Sequence, residues 1–219
     1  RYKVEHDWGF APNPFHGILT LATCKADIRM NKYLQKGDWI LGFGSKAMDN
    51  LGKLVYAMRV DDIITFDQYY DAPEYQCKKP FKFGSLVQMY GDNVYHTDMS
   101  KHPVRKYIQD ECAHSNKDGS FYQEHYDRDT KCDKVLLSKT FYYFGDHCIE
   151  IPERFSYVNL NPWNIRGNMY FKDLQCEDAK IQAFADWLDT TYGVGLHGDP
   201  CNWKKFKMAK LDIYEEEDK

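Results

Sequence analysis

The spacing of apolar residues in the first third of the chain predicts a series of β-strands. Short turn segments at 36–38 and 49–52 separate apolar runs at 17–23, 39–43, 54–60 and 63–66. Runs of this length bounded by Gly, Asp and Asn are typical of strands. Because they follow one another through short turns, we expect a meander that closes into a barrel. The run at 39–43 is apolar on both faces and should lie centrally in its sheet.

The pattern changes after residue 69. Prolines and glycines interrupt the apolar signal repeatedly, which predicts a loop-rich insertion over residues 69–130. Within it, Pro103 predicts the start of a short helix through Gln109 and Cys112. Strand patterns return at 135–138 and 141–145. Near the C-terminus a helix is predicted where apolar residues recur at spacings of three and four, with Gly193 ending it, at Ile181, Phe184, Ala185 and Leu188.

These elements predict an α+β fold. We expect a curved or barrel-like, mostly antiparallel sheet with the insertion on one side and the helix at the C-terminal end. The chain of 219 residues is long enough for one large domain, so we expect a single domain over 1–219 that ends in an acidic tail at 208–219.

Composition and charge narrow the partners. The net charge of −4 argues against a protein that coats nucleic acid, while an aromatic content of 16% leaves rings available to stack on planar ligands. Seven cysteines without a CxxC pair favour a reducing, cytoplasmic setting. No apolar run reaches the ~18 residues of a membrane span. We expect no cofactor and no membrane partner, and oligomeric state stays open.

Several motifs resemble those of a known family. They lie at 9–15, 21–25, 37–40, 54–60 and 91–96. Together they resemble the second family of nucleotide-modification-associated domains, which occurs in bacteria and their phages and is named for its gene neighbourhoods. The resemblance covers roughly residues 2 to 190. It implies work on nucleotides or modified bases in a bacterial cell or a phage-infected host, without naming a reaction.

A weaker resemblance bears on the fold. Gly37 and Asp38, followed by an apolar strand ending at Ser45 and a second strand at 55–60, are similar to the barrel core of PUA-like domains, including the EVE and ASCH groups. That resemblance implies a pocket for a base or modified base on the barrel.

Polar groups at the ends of two predicted strands suggest where a ligand binds. Lysine and arginine hold phosphates, asparagine pairs with base edges, and aromatic rings stack on bases. The ends of the runs at 17–23 and 39–43 are expected to flank one pocket. The candidate ligand-binding residues are Trp8, Phe10, Asn13, Phe15, Lys25, Arg29, Trp39, Ser45 and Lys46.

A catalytic alternative uses Cys24. Beside Lys25 it can act as a nucleophile if His96 or His147 comes close, and Asp7 is a candidate base for N-glycosidic cleavage. The bland alternative is that Cys24 is a small buried apolar residue. A further set, Cys112, His114, His125 and Cys132, fits no common zinc module, so no metal is predicted.

The sequence therefore predicts recognition of a nucleotide or modified base, free or within nucleic acid, in a phage or anti-phage setting. The alternative is an enzyme that alters nucleotides by N-glycosidic cleavage or group transfer. A third class, a purely protein-binding accessory factor, stays open.

Overall fold

The structure is a computed structural model that describes residues 1–98, 107–158 and 177–206. Within these residues the fold is α+β. The strands are β1 Tyr2–Lys3, β2 Leu19–Leu21, β3 Trp39–Phe43, β4 Leu54–Arg59, β5 Asp62–Thr65, β6 Tyr95–His96, β7 Ile108–Gln109, β8 Lys134–Ser138, β9 Phe141–Tyr143 and β10 Gly195–Leu196. The α-helices are α1 Ala26–Arg29, α2 Phe66–Asp71, α3 Leu86–Met89, α4 Gln123–Asp129 and α5 Asp178–Tyr192.

The strands form three sheets, with orders β1-β3-β4-β9-β10, β2-β8-β5 and β6-β7. None closes into a barrel in the described part of the chain, and the PUA-like detail is not confirmed. The predicted meander is confirmed only between β3 and β4, which are neighbours. It is wrong at both ends, because β2 pairs antiparallel with β8 instead of β3, and β5 pairs with the other edge of β8. β8 is buried over Val135–Ser138, so it needs a partner on each side. Short turns alone do not specify such long-range pairing.

The chain divides into two compact units. The first comprises Arg1–Trp8, Ile40–Ala57 and the chain from Phe141 onward, and the second comprises Gly9–Trp39 and Met58–Thr140. The single domain and the 69–130 insertion stay predictions.

In the first unit, β3 lies between β1 and β4, so the predicted central position is confirmed. β1 and β3 are parallel, as are β9 and β10, which makes this sheet mixed. The C-terminal helix is confirmed as α5, with Phe184 and Leu188 buried. Gly193 follows it with a φ of 71°, the left-handed region in which glycine has no steric penalty.

In the second unit, the three-stranded sheet and helix α2 build an aromatic-rich core. The buried residues are Phe10, Ile18, Ala22, Phe66, Tyr69, Val94, Tyr95, Tyr107, Tyr126, Val135 and Leu137. Phe66 was expected in a strand but begins α2, because Thr65 and Gln68 form a capping box that starts the helix there.

Two other predictions meet the limits of the described residues. The helix expected from Pro103 to Cys112 begins outside them, but its second half is wrong, since Ile108–Gln109 pairs antiparallel with Tyr95–His96. The acidic tail lies outside them altogether. Among the described residues, no helix has the length and apolar character needed to cross a membrane.

Candidate active site

A cysteine, a histidine and an aspartate form a hydrogen-bonded chain in the second unit. The Sγ atom of Cys24 lies 3.4 Å from Nε2 of His114, and Nδ1 of His114 lies 2.8 Å from Oδ2 of Asp129. A nucleophile, a base and a group that orients the base are the parts of a catalytic triad. The three residues come from separate parts of the chain, since 90 positions separate Cys24 from His114.

Local backbone geometry presents Cys24 at the end of the strand segment. After β2 the chain passes through Cys24 and Lys25, which have φ angles of 51° and 38°, and then enters α1. Two consecutive non-glycine residues in the left-handed region are uncommon and store strain of order 1–3 kcal/mol each. The backbone N–H of Cys24 donates to Oδ1 of Asp129 at 2.8 Å, so one carboxylate holds both the loop at Cys24 and Lys25 and the ring of His114.

Arg29 holds this loop in place through hydrogen bonds. Its side chain is fully buried, and its guanidinium donates to backbone carbonyls alone among the residues that the structure describes. The acceptors are the carbonyl oxygens of Cys24 at 3.1 Å, Asp129 at 2.7 Å, Cys132 at 2.8 Å and Lys134 at 3.0 Å. Arg29 therefore joins the loop at Cys24 and Lys25, the end of α4 and the start of β8.

The charges around His114 favour its protonated form. Burial lowers the pKa of His114. Its hydrogen bonds with Asp129 and Cys24 and the charges of both groups have the larger, opposite effect, so the pKa is raised to about 9. Burial raises the pKa of Asp129, but the hydrogen bond and charge of His114, with Arg128 and Arg29, lower it overall. At neutral pH the ring can thus donate from both nitrogens, to a carboxylate on one side and to sulfur on the other.

A second guanidinium reaches the sulfur. Arg128 donates from Nη2 to Sγ of Cys24 at 3.6 Å and from Nε to Oδ1 of Asp129 at 3.2 Å. Positive groups next to a partly exposed sulfur are the surroundings of reactive cysteines. Cys112 differs, because burial raises the pKa of its thiol to about 12.

Aromatic rings surround His114. The Phe10 ring lies edge-on with centroids 4.7 Å apart, and the His125 ring lies 4.3 Å away. Tyr122 packs edge-on against His125 at 4.8 Å and is itself exposed. The exposed ring of Tyr122 offers a base a surface on which to stack, whereas Phe10 is buried.

The same three residues can also be considered as metal ligands, since one donor atom from each lies within 4.8 Å of the others. The contacts fit a relay better than a chelate, because His114 uses its two nitrogens for two different partners. Two guanidinium groups on Cys24 and Asp129 would also oppose a divalent cation.

The structure places the predicted site residues as follows. Cys24, Lys25, Arg29 and Phe10 lie in or beside the triad. Asn13 is buried, donating to the carbonyl of Tyr90 and accepting from the ammonium of Lys78. Phe15 is buried and Trp39 half-buried, and both belong to the second unit.

The remaining candidates behave differently. Asp7, Trp8, Ser45 and Lys46 belong to the first unit, where the Asp7 carboxylate accepts hydrogen bonds from Tyr143 and the backbone of Cys201. The histidine beside Cys24 is His114, whereas His96 stacks on Tyr70 at 4.0 Å and lies 3.5 Å from Asp110. A catalytic role for Asp7 or His96 stays a prediction.

Sequence reasoning missed His114, Asp129 and Arg128 as partners of Cys24. The sequence singles out His114 only as one of four possible metal ligands, with Cys112, His125 and Cys132. The polar sequence around Asp129 gives no sign that its carboxylate is fully buried at the end of a helix, which only the structure shows. A buried carboxylate requires hydrogen-bonding partners, but the sequence does not say which.

Comparison with known proteins bears on the family. The model of the family described as nucleotide modification associated domain 2 matches residues 1–207. The resemblance drawn from the sequence motifs is thereby confirmed. No curated protein and no solved structure matches the chain.

Proposed function

Because the chain belongs to the nucleotide modification associated domain 2 family, we propose that it is a cysteine-dependent enzyme that transfers a group to or from a nucleotide or base. The observation that carries this proposal is the hydrogen-bonded chain from Cys24 through His114 to Asp129. A site that served only to bind would not require a histidine held between a sulfur and a buried carboxylate.

The proposed mechanism assigns one task to each residue. The sulfur of Cys24 attacks an electrophilic carbon of the substrate, and an S–C bond forms as the bond to the leaving group breaks. Protonated His114 gives its proton to the leaving group. Water or an acceptor nucleotide then loses a proton to His114 and attacks the same carbon, which breaks the S–C bond. Asp129 keeps the ring oriented throughout.

Of the two enzymatic alternatives, group transfer has more support than N-glycosidic cleavage by Asp7. The Asp7 carboxylate is buried and already accepts hydrogen bonds from Tyr143 and Cys201. A base for glycosidic cleavage needs access to water and to the sugar.

The second candidate is recognition of a nucleotide or modified base without turnover. It is favoured by the exposed ring of Tyr122 next to His125, a surface suited to stacking. Of the ligand contacts that the sequence suggested, Phe10 and Lys25 lie beside His114 and Cys24 in the second unit, whereas Trp8, Ser45 and Lys46 in the first unit stay predictions. The phage setting and a cytoplasmic location stay predictions that rest on the family resemblance and on cysteine usage.

Chromatography after incubation with nucleotides and with modified and unmodified DNA tests the proposal. We expect product formation that falls at least about 10³-fold in Cys24→Ser and in His114→Gln. Cys77→Ser is the matched control, because Cys77 is an exposed cysteine of the same unit. Saturable binding with no product would instead favour the reader. Neither binding nor product would favour a protein-binding factor.

A further inference from the structure

We infer that Arg128 forms an anion-binding subsite beside Cys24, so that the substrate carries a phosphate or another anionic group next to its reacting carbon. This inference deepens the proposed function and rests on it for the role of Cys24. Arg128 was not among the residues suggested by the sequence, which indicated phosphate contacts at Lys25, Arg29 and Lys46.

Exposure separates Arg128 from His114, Asp129 and Arg29. The side chain of Arg128 is 38% exposed, against 11% for His114 and 0% for Asp129. Arg29 is fully buried and committed to four carbonyls. Of the three cations hydrogen-bonded to Asp129, namely Arg29, His114 and Arg128, Arg128 is therefore the one that an incoming ligand meets.

The charge balance points the same way. Arg29, Arg128 and protonated His114 supply three positive charges. Asp129 is the one carboxylate that hydrogen-bonds to these groups within the described residues, so positive charge exceeds negative charge among them. An anionic substrate group would reduce that excess.

The guanidinium also has donors to spare. Arg128 uses Nε toward Asp129 and Nη2 toward Cys24, whereas Nη1 has no hydrogen-bonding partner in the part of the chain that the structure describes. A guanidinium presents a planar fork of N–H groups that suits phosphate and carboxylate oxygens. An anion bound at the free edge of this fork lies next to the sulfur that Arg128 already contacts.

Two alkylating reagents of nearly equal size test the subsite on the ligand-free protein. Iodoacetamide is neutral and iodoacetate is anionic, and both react with the thiolate of Cys24. We would measure both rates at Cys24 by mass spectrometry in a Cys77→Ser background, and divide the iodoacetate rate by the iodoacetamide rate. The same ratio for glutathione serves as the reference. Because both reagents need the thiolate, the ratio cancels any change in its population.

We expect the ratio for the protein to exceed that of glutathione by about fivefold or more, since the anionic reagent gains a charged hydrogen bond. Arg128→Gln should bring the ratio down to the glutathione value, whereas Arg128→Lys should keep most of the preference. Lys131→Gln removes an exposed cation two residues beyond Asp129 and should leave the ratio unchanged.

Inorganic phosphate gives a second readout. It should slow the alkylation of Cys24 by iodoacetamide in the wild type and in Arg128→Lys, but not in Arg128→Gln. If Cys24 reacts rapidly with iodoacetamide but shows no preference for iodoacetate and no protection by phosphate, the inferred subsite is wrong. The proposed role of Cys24 as the nucleophile would be unaffected. Slow reaction of Cys24 with both reagents, at the rate of a buried thiol, would overturn the proposed function itself.

Discussion

Arg29 illustrates how a single buried side chain can determine the geometry of a site without touching a substrate. Its guanidinium connects the carbonyl of Cys24 to that of Asp129 and to the start of β8. Buried carbonyls that lose such a donor keep their desolvation cost, and the strained loop at Cys24 and Lys25 loses its support. Arg29 is therefore a positioning residue.

We predict that Arg29→Met lowers the free energy of unfolding by about 3 kcal/mol or more. Urea denaturation measures this loss. Circular dichroism without urea shows whether the variant is folded. In the folded variant, alkylation of Cys24 should slow by about tenfold or more, because the sulfur is no longer held against His114. Arg29→Lys keeps the charge but provides fewer directed donors, and should recover little of the rate. An unchanged alkylation rate in a folded variant would mean that Arg29 stabilises the fold and nothing else.

His114 makes a prediction about pH. Its pKa is raised from 6.5 to about 9, so the protonated ring stabilises the folded state fully below the unfolded pKa and this contribution is lost as pH rises through about 9. A shift of this size corresponds to a few kcal/mol at most, because one pKa unit is about 1.4 kcal/mol.

The measurement compares unfolding of the wild type and His114→Gln between pH 6 and pH 10. The difference between the two proteins should shrink as pH rises. The difference is needed because Lys78 acts with the opposite sign: burial lowers its pKa from 10.5 to about 8, so its deprotonation relieves a penalty as pH rises. A difference that is constant over this range would contradict a raised pKa at His114.

Sequence reasoning at this scale singled out Cys24 but not its hydrogen-bonding partners. Cys24 stood out because it follows a strand and precedes a lysine. His114 and Asp129 lie 90 and 105 positions away, and only the folded chain brings them to Cys24. A single sequence contains no information on such distant pairs beyond the residue types themselves.

At the scale of elements, the beginning of α2 shows local sequence overriding a strand pattern. The Thr65 side chain accepts from the backbone of Gln68, and the Gln68 side chain accepts from the backbone of Thr65. The helix then packs Phe66 and Tyr69 into the core of the second unit.

We predict that Thr65→Ala lowers the free energy of unfolding by about 1 kcal/mol, the usual cost of losing an N-cap. Thr65→Ser keeps the hydroxyl and is the matched control, with little expected change. Thermal or urea unfolding distinguishes the two variants. Equal losses in both would show that the methyl group, and not the cap, is what matters at this position.

A buried polar network fastens another pair of elements in the second unit. The ammonium of Lys78 is fully buried and donates to the carbonyls of Asn13 and Ile18 and to the Asn13 amide oxygen. Thr20 donates to Asp92 and also lies 3.4 Å from Lys78. The network holds the Asn13–Thr20 bridge to the segment that carries Lys78.

We predict that Lys78→Met lowers the free energy of unfolding by about 3 kcal/mol or more, because it leaves these acceptors buried without a donor. The double variant Lys78→Met/Asp92→Asn should lose less stability than the sum of the two single variants, because the two charges interact. Burial raises the pKa of Asp92 overall, and the charge of Lys78 partly offsets that rise. A double-mutant cycle in urea measures that coupling. Strict additivity would contradict a shared network.

Element types were more predictable than element partners. The 39–43 run is a central strand and the helix before Gly193 is present, because each depends on local periodicity and capping. The meander failed because β8 inserts between β2 and β5 from more than 100 positions beyond β2. Pairing over that distance depends on which buried faces fit one another, and apolar runs of similar length do not distinguish the options.

At the scale of the whole molecule, the chain alternates between its two units, and the second unit carries the complete triad. The family match spans 1–207 and therefore includes both units. Composition predicts neither the division into two units nor the family, because it bounds only the size and charge of the chain. Composition does, however, bear on how the molecule would bind the anionic substrate that we propose.

The last prediction concerns that substrate. A net charge of −4 gives the chain no general attraction for a polyanion, so an anion should be bound locally, as at Arg128, and not through a broad basic surface. Anisotropy with fluorescent unmodified duplex DNA should therefore show a dissociation constant weaker than ~10⁻⁴ M at physiological salt. Raising salt from about 50 to 200 mM should weaken binding of a nucleoside monophosphate by only a few fold, because few phosphates are neutralised. Micromolar binding to any duplex, with a fall of 10³-fold or more over this salt range, would instead identify a long phosphate-binding surface and contradict a single anion subsite.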